Sequence, residues 1–347
     1  PFIIIFLLAS VATLMADRPK APFKVLYSND TTNIQTCVSP YNEDEDSPFT
    51  SDKLRASVDE TVDTGIEVHM IQPGMGWVPW WDSSILPAAD HYQWYMDTFN
   101  TGLSNFGAYI INGGDIVQVF LDRCREKGIV PFISYRLNDK HLFEYLNDTP
   151  PPPHAGNSIC QFYVDNPDYR IGTNINNIYQ RVHNWAIPEA REYKFQFIQE
   201  ICENYDIPGL ELDFMRHSSF FRLNETTSSE RRQIITNFVT RVRDLLDRTT
   251  PEGEYRWLCV RVPCYIEAYD ALGIDLNEMV NAGVDMVNLS PYYFTDQQGD
   301  IAEIVSIIPD TPVYLEMTHT PLKVDASLKT TLEQYYTTAN LAYSQGA

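Results

Sequence analysis

The segment Gly209-Leu210-Glu211-Leu212-Asp213-Phe214-Met215-Arg216-His217 sets two acids among apolar residues. Alternate side chains of an extended strand share a face, so Glu211 and Asp213 point one way and Leu210, Leu212 and Phe214 the other. Two carboxylates on one side of an apolar strand are costly to bury unless they are paired or put to use. Carboxylates on either side of a glycosidic bond can divide the work of acid and of base or nucleophile. Polar clusters also close other apolar runs. His69 and Gln72 end one, and Gly74-Met75-Gly76-Trp77-Val78-Pro79-Trp80-Trp81 follows directly. Tyr135-Arg136-Leu137-Asn138-Asp139-Lys140-His141 ends another, Arg261 a third, Asn288, Ser290 and Tyr292 a fourth, and Glu316 and His319 a fifth.

Asp213 and Glu316 are the candidate catalytic carboxylates. By analogy with barrels that place the acid/base on the fourth strand and the nucleophile on the seventh, Asp213 is expected to protonate the leaving oxygen and Glu316 to attack. A gap of about 5–5.5 Å between them would mean retention of configuration and about 6.5–9.5 Å inversion. Glu211, Arg136, Asp139, His141, Arg216, His217, Arg261, Asn288, Tyr292, His69 and Trp80 are candidates for binding the substrate. Glu211 could instead pair with Arg136 or Arg261 inside the fold. The tryptophan cluster could be a sugar platform or a packing plug. Arg136, Arg216 and Arg261 hint at an anionic sugar, because guanidinium matches carboxylate and sulfate geometry.

Composition narrows the partners. The 347 residues hold 47 acidic and 25 basic side chains, a net charge of −22. That argues against nucleic acid, whose phosphates require clustered Lys and Arg, and against an anionic membrane surface. No CxxC or His/Cys cluster suggests zinc, and no GxGxxG follows the first strand-like run. Neither metal nor cofactor is expected. Residues 1–16 read as the apolar core and cleavage region of a secretory leader, incomplete at its start, which implies a secreted or periplasmic protein. Cys124, Cys202 and Cys259 read as small buried hydrophobes, whereas Cys37 and Cys160 fall in loops where a bridge is possible.

The elements that must position these residues are a repeated strand–helix unit. Strand-like runs lie at Lys24–Asn29, Ile66–Gln72, Ile129–Arg136, Gly209–His217, Trp257–Val262, Met286–Tyr292 and Val313–Met317. Helical patterns fall at Ile116–Gly128, at Pro188 to about Asn204, at Ser229–Asp247, at Leu276–Gly283 and at about Ser327–Ser344. Near-continuous apolar strands joined by helices predict a parallel sheet covered on both faces. The expected fold is α/β, a (β/α)8 TIM barrel over residues 22–347, apparently cut before its eighth strand. Long connections after the first three strands would then lie at the catalytic end.

The phrases "GLELDFMRH", "ISYRLND", "NWAIPEAREY" and "SPYY" resemble the bacterial glycosyl-hydrolase-like family 10 proteins, which are distinct from the family 10 xylanases. The match on the fourth strand runs through Gly209, Leu210, Leu212, Asp213, Phe214 and Arg216, and the helix phrase through Pro188–Tyr193. The resemblance implies a TIM barrel acting on carbohydrate. It departs at His217, where many relatives have Tyr-Pro. The expected function is therefore a glycoside hydrolase. Three alternatives stay open: a non-catalytic carbohydrate-binding barrel, a polysaccharide lyase with Tyr292 or His141 as base, and a metal-dependent hydrolase, which lacks the expected His-x-His pair.

Overall fold

The computed structural model describes residues 18–30, 48–291, 299–317 and 331–347. The expected leader, Cys37, Tyr292 and His319 lie outside the described residues.

Seven strands form one parallel sheet: β1 (Leu26–Asn29), β2 (Val68–Ile71), β5 (Val130–Arg136), β6 (Gly209–Asp213), β7 (Trp257–Pro263), β8 (Met286–Ser290) and β9 (Val313–Leu315). They neighbour one another in chain order. A short antiparallel hairpin, β3 (Gly74–Met75) with β4 (Val78–Pro79), projects beyond β2 and was not foreseen. Among the described residues no eighth strand joins β9 to β1.

The helices start where side chains can satisfy their first N–H groups. Asp115 Oδ1 accepts from Gln118 N at 2.9 Å at the head of the helix Ile116–Glu126. Thr227 and Glu230 form a reciprocal capping box at the head of Ser228–Thr249. Past Glu126 the chain turns into β5 through Gly128, whose φ of 70° suits a residue without a side chain.

The sheet is curled, and alternation along each strand gives two cores. Outward residues such as Ile71, Ile133, Leu210, Leu212, Val260 and Leu289 pack against the helices in the larger core. Inward residues Val68, Met70, Phe132, Cys259 and Met286 meet one another in a second, smaller cluster. Phe23, which precedes β1, stands edge-to-face against both Phe132 and Trp257 at 5.7 Å. On the opposite edge, Tyr314 Oη donates to Phe23 O at 2.8 Å. The two edge strands are thus brought together over one plugged floor, as in a barrel with an open seam. Gly209 is required here: a Cβ would lie 2.3 Å from Phe132 Cζ, inside the ring that fills the floor.

Candidate active site

Strand register stacks the inward polar residues in tiers. Ser134, Glu211 and Cys259 are paired neighbours, and one step nearer the carboxyl ends come Arg136, Asp213, Arg261 and Asn288.

Glu211 occupies the deeper tier and is fully buried. Its Oε1 accepts from Ser134 Oγ at 2.6 Å and its Oε2 from Asn288 Nδ2 at 3.0 Å, with Cys259 Sγ at 3.6 Å. Burial, followed by the charge of Asp213, pushes its carboxyl up, while Arg261 pulls it down. Glu211 and Asn288 therefore satisfy each other below the mouth. Among the described residues Glu211 makes no direct ion pair with Arg136 or Arg261, the alternative weighed for it.

At the mouth, Arg261 joins the two carboxylates singled out in the sequence. Its Nη1 donates to Asp213 Oδ2 at 2.9 Å, and its Nε and Nη2 both reach Glu316 Oε2, at 2.7 and 2.6 Å. Because both acids touch one rigid guanidinium, those two oxygens are no more than roughly 8 Å apart. The acids differ in freedom. Asp213 Oδ1 accepts from Met215 N at 2.7 Å and Arg216 N at 3.3 Å, and its side chain is 1% exposed. Glu316 is 22% exposed, and among the described residues its Oε1 has no partner. Burial alone would lower Arg261, but Asp213, Glu316 and Glu211 outweigh it and raise its guanidinium.

Arg136 anchors the other half of the mouth. It pairs with Asp30 at 2.9 Å and with Asp139 at 3.3 Å. Asp30, the first residue after β1, was overlooked, although the rule that barrel sites gather at strand ends points to it. Asp139 Oδ1 faces the Nδ1 atoms of both His141 and His217, the latter at 3.3 Å. Burial would raise the Asp139 carboxyl, yet His141 and Arg136 hold it well below the usual range. Arg216 completes the row: its Nε donates to His141 Nε2 at 3.0 Å. His141 Nε2 therefore presents its lone pair, and Nδ1 carries the hydrogen toward Asp139. His217 accepts Lys140 N at 3.1 Å on Nδ1 and adopts a φ of 53°, rare for a residue with a side chain. Burial lowers its imidazole to about 4.

Asp139, His141 and His217 bring three ligand atoms within 4.8 Å of one another. They fit a cation poorly. Arg136 already lies on Asp139, Arg216 on His141, and Lys140 N on the Nδ1 lone pair of His217. Metal-bound histidine characteristically donates its second nitrogen to an acceptor, the reverse of the Arg216 contact.

Two further expectations are corrected. His69 points away from the mouth into the helical layer, edge-to-face with Phe120 at 5.1 Å, and burial drives its imidazole to about 3. The reason is parity: Val68 and Met70 take the inward positions of β2. Trp80 is buried, donates to Asn157 O at 3.0 Å and packs edge-on to Phe106. Trp77 and Trp81 are buried too, so the cluster is a plug rather than a sugar platform.

Beneath the plug lies a group that composition does not advertise. Lys140 Nζ stands 3.9 Å from the Trp77 ring centroid, Lys194 Nζ 4.0 Å from that of Tyr135, and His183 stacks on Trp77 at 4.1 Å. Burial brings Lys140 down to about 7 and holds Lys194 and His183 well below their ordinary values. A surface depression of about 640 Å³ opens beside Arg170, Tyr179, Arg222 and Leu223; none of the mouth residues lines it.

No protein-family profile and no curated protein matches the chain. Several solved structures are similar in shape. A beta-N-acetylhexosaminidase from Streptomyces coelicolor is 9% identical with a TM-score of 0.47, over 90% of this chain and 52% of that one. The galactosidase domain of an alpha-galactosidase-sucrose kinase is 12% identical with a TM-score of 0.46, over 93% of this chain and 36% of that one. A cycloisomaltooligosaccharide glucanotransferase from Paenibacillus is 11% identical with a TM-score of 0.46, over 86% of this chain and 38% of that one. The chain thus spans between about a third and a half of the length of these proteins.

Proposed function

We propose that this chain is a glycoside hydrolase that works at the carboxyl-end mouth of its curled sheet, with Glu316 as the acting carboxylate. One observation carries the reading: two acids at separate strand ends meet on Arg261, and of the two only the partly exposed Glu316 keeps an oxygen without a partner among the described residues. Arg261 holds that carboxylate ready to attack or to stabilise a sugar cation. Asp213 has both oxygens occupied, so the proton-donor role first expected of it finds no vacant oxygen. It acts instead through Arg261 as a positioning residue, and its Oδ1 shapes the turn that carries Arg216. His141, oriented by Asp139, is the rim side chain whose Nε2 lone pair takes a proton from the attacking water and passes it to the leaving oxygen, while Glu316 stabilises the sugar cation. The bound on the gap between the acids fits either stereochemical course.

The motif resemblance at Gly209–Arg216 and Pro188–Tyr193 supports carbohydrate as the substrate class. We also propose secretion, on the apolar run in residues 1–16. The test is a panel of polysaccharides scored for new reducing ends. Glu316→Gln should lower kcat by about a hundredfold or more with the fold intact by circular dichroism. Undiminished turnover by that variant, or binding of a glycan without any product, would remove the hydrolase assignment.

A further inference from the structure

Three arginines stand at the mouth, and their partners differ. Arg136 is held between Asp30 and Asp139, and Arg261 between Asp213 and Glu316. Arg216 makes no ion pair among the described residues; its guanidinium rests on the imidazole of His141 through Nε and Nη2. A chain with 47 acidic and 25 basic residues has carboxylates in excess. It nevertheless leaves a half-buried guanidinium facing a histidine at the rim of its charged mouth. Arginine beside a base that holds no negative charge is poorly satisfied, because its planar fork is matched by an anion. The turn that presents it is fixed at both ends. Asp213 Oδ1 accepts the Arg216 N–H, and His217 sits in the left-handed region with its carbonyl taken by Ser219 N at 2.7 Å.

We infer that Arg216 is the anchor for an anionic group on the sugar, a ring carboxylate or a sulfate ester, and that the preferred substrate is an acidic glycan. The inference rests on the hydrolase reading for the location of the cleaved bond, but the anchoring chemistry is separable from it. When the anion takes the guanidinium, the lone pair of His141 Nε2 is released beside the bound ring. Substrate binding thereby uncovers the group that moves the proton. Arg136 and Arg261 cannot serve in this way without abandoning buried carboxylates.

The experiment compares three pairs of probes on the full chain: a uronic-acid polymer with its carboxyl-reduced counterpart, a sulfated glycan with its desulfated counterpart, and a neutral glucan with the neutral xylan. Each is scored for kcat/KM by reducing ends and for binding by calorimetry. Parallel ultraviolet absorbance reports unsaturated uronates, which elimination would produce and hydrolysis would not. The wild type should favour one acidic member over its neutralised counterpart. Arg216→Ala should shrink that ratio by roughly tenfold to a hundredfold, the range for hydrogen bonds to charged groups, with Arg216→Lys in between. Equal ratios in wild type and Arg216→Ala would overturn the anchor. So would equal use of acidic and neutralised probes by the wild type. Arg216-dependent binding of an acidic probe without reducing ends would uphold the anchor and remove the hydrolase. If Arg216→Ala fails to fold, the ratio for Arg216→Lys decides alone.

Discussion

Arg261 is the most informative side chain to remove. Arg261→Met keeps an unbranched stem of similar reach but deletes its contacts to Asp213, Glu316 and Ser290. Breaking a buried ion pair from one side costs about 3–5 kcal/mol, because the remaining charge stays desolvated. Asp213 is as buried as that estimate assumes, whereas Glu316 reaches solvent and its share is screened. The cost should therefore lie near about 3 kcal/mol, a fall in Tm of roughly 4–5 °C for a chain of this size. The fall should also depend on pH, through Glu211. Burial raises that carboxyl first, the charge of Asp213 adds to the rise, and Arg261 opposes it. A carboxyl raised in the fold binds its proton more tightly there than in the unfolded chain. Its contribution is complete at low pH and is lost as pH rises through the folded value. Without Arg261 that value climbs further, so the variant should suffer more near neutral pH than near about pH 5. Thermal melts of wild type, Arg261→Met and Arg261→Met/Glu316→Gln at both pH values provide the test. The double variant should recover part of the loss. A Tm within about 2 °C of wild type at both pH values, or a loss that ignores pH, would refute the clamp.

Two other predictions concern parts of the fold away from the carboxylates. Burial lowers the Lys140 amine from 10.5 to about 7, so wild-type stability should fall as pH drops from 10.5 toward 7 and then level off. Lys140→Met should flatten a melting curve taken across that window and raise Tm at its lower end; an unchanged slope would contradict the buried amine. Gly209→Ala should cost about 1–3 kcal/mol by forcing a methyl group into the Phe132 ring. Adding Phe132→Leu should return much of that loss in denaturant unfolding, and strictly additive costs would show that the two positions do not touch.

Much of the architecture was legible because it follows from periodicity. Each of the seven apolar runs is a strand, the helix signals at Asp115 and Pro188 mark real starts, and the helix expected from Ser229 begins at Ser228. The mouth was legible to the extent that alternation and strand ends define it: Arg136, Asp213, Arg261 and Glu316 do come together. Roles were not. His69 lies one residue out of phase with the inward face of its strand, and a short run of four offers too little pattern to fix the phase. Glu211 and Asp213 share a face, as expected, yet one tier of depth separates a residue satisfied within the curled sheet from one at its mouth. Three tryptophans so close together look like a platform, but their N–H groups find partners deep in the protein: Leu137 O, Asn157 O and Glu200. Tertiary partners of this kind leave no trace in local sequence.

The clasp between Tyr314 and Phe23 links residues 291 positions apart. Every other strand can find its neighbour as soon as that neighbour has been made, but the floor cannot close until Tyr314 reaches Phe23. Assembly should therefore proceed as a growing ribbon with two live margins, and the final fastening, slow because its ends are so distant, is the moment at which exposed edges invite association with other chains.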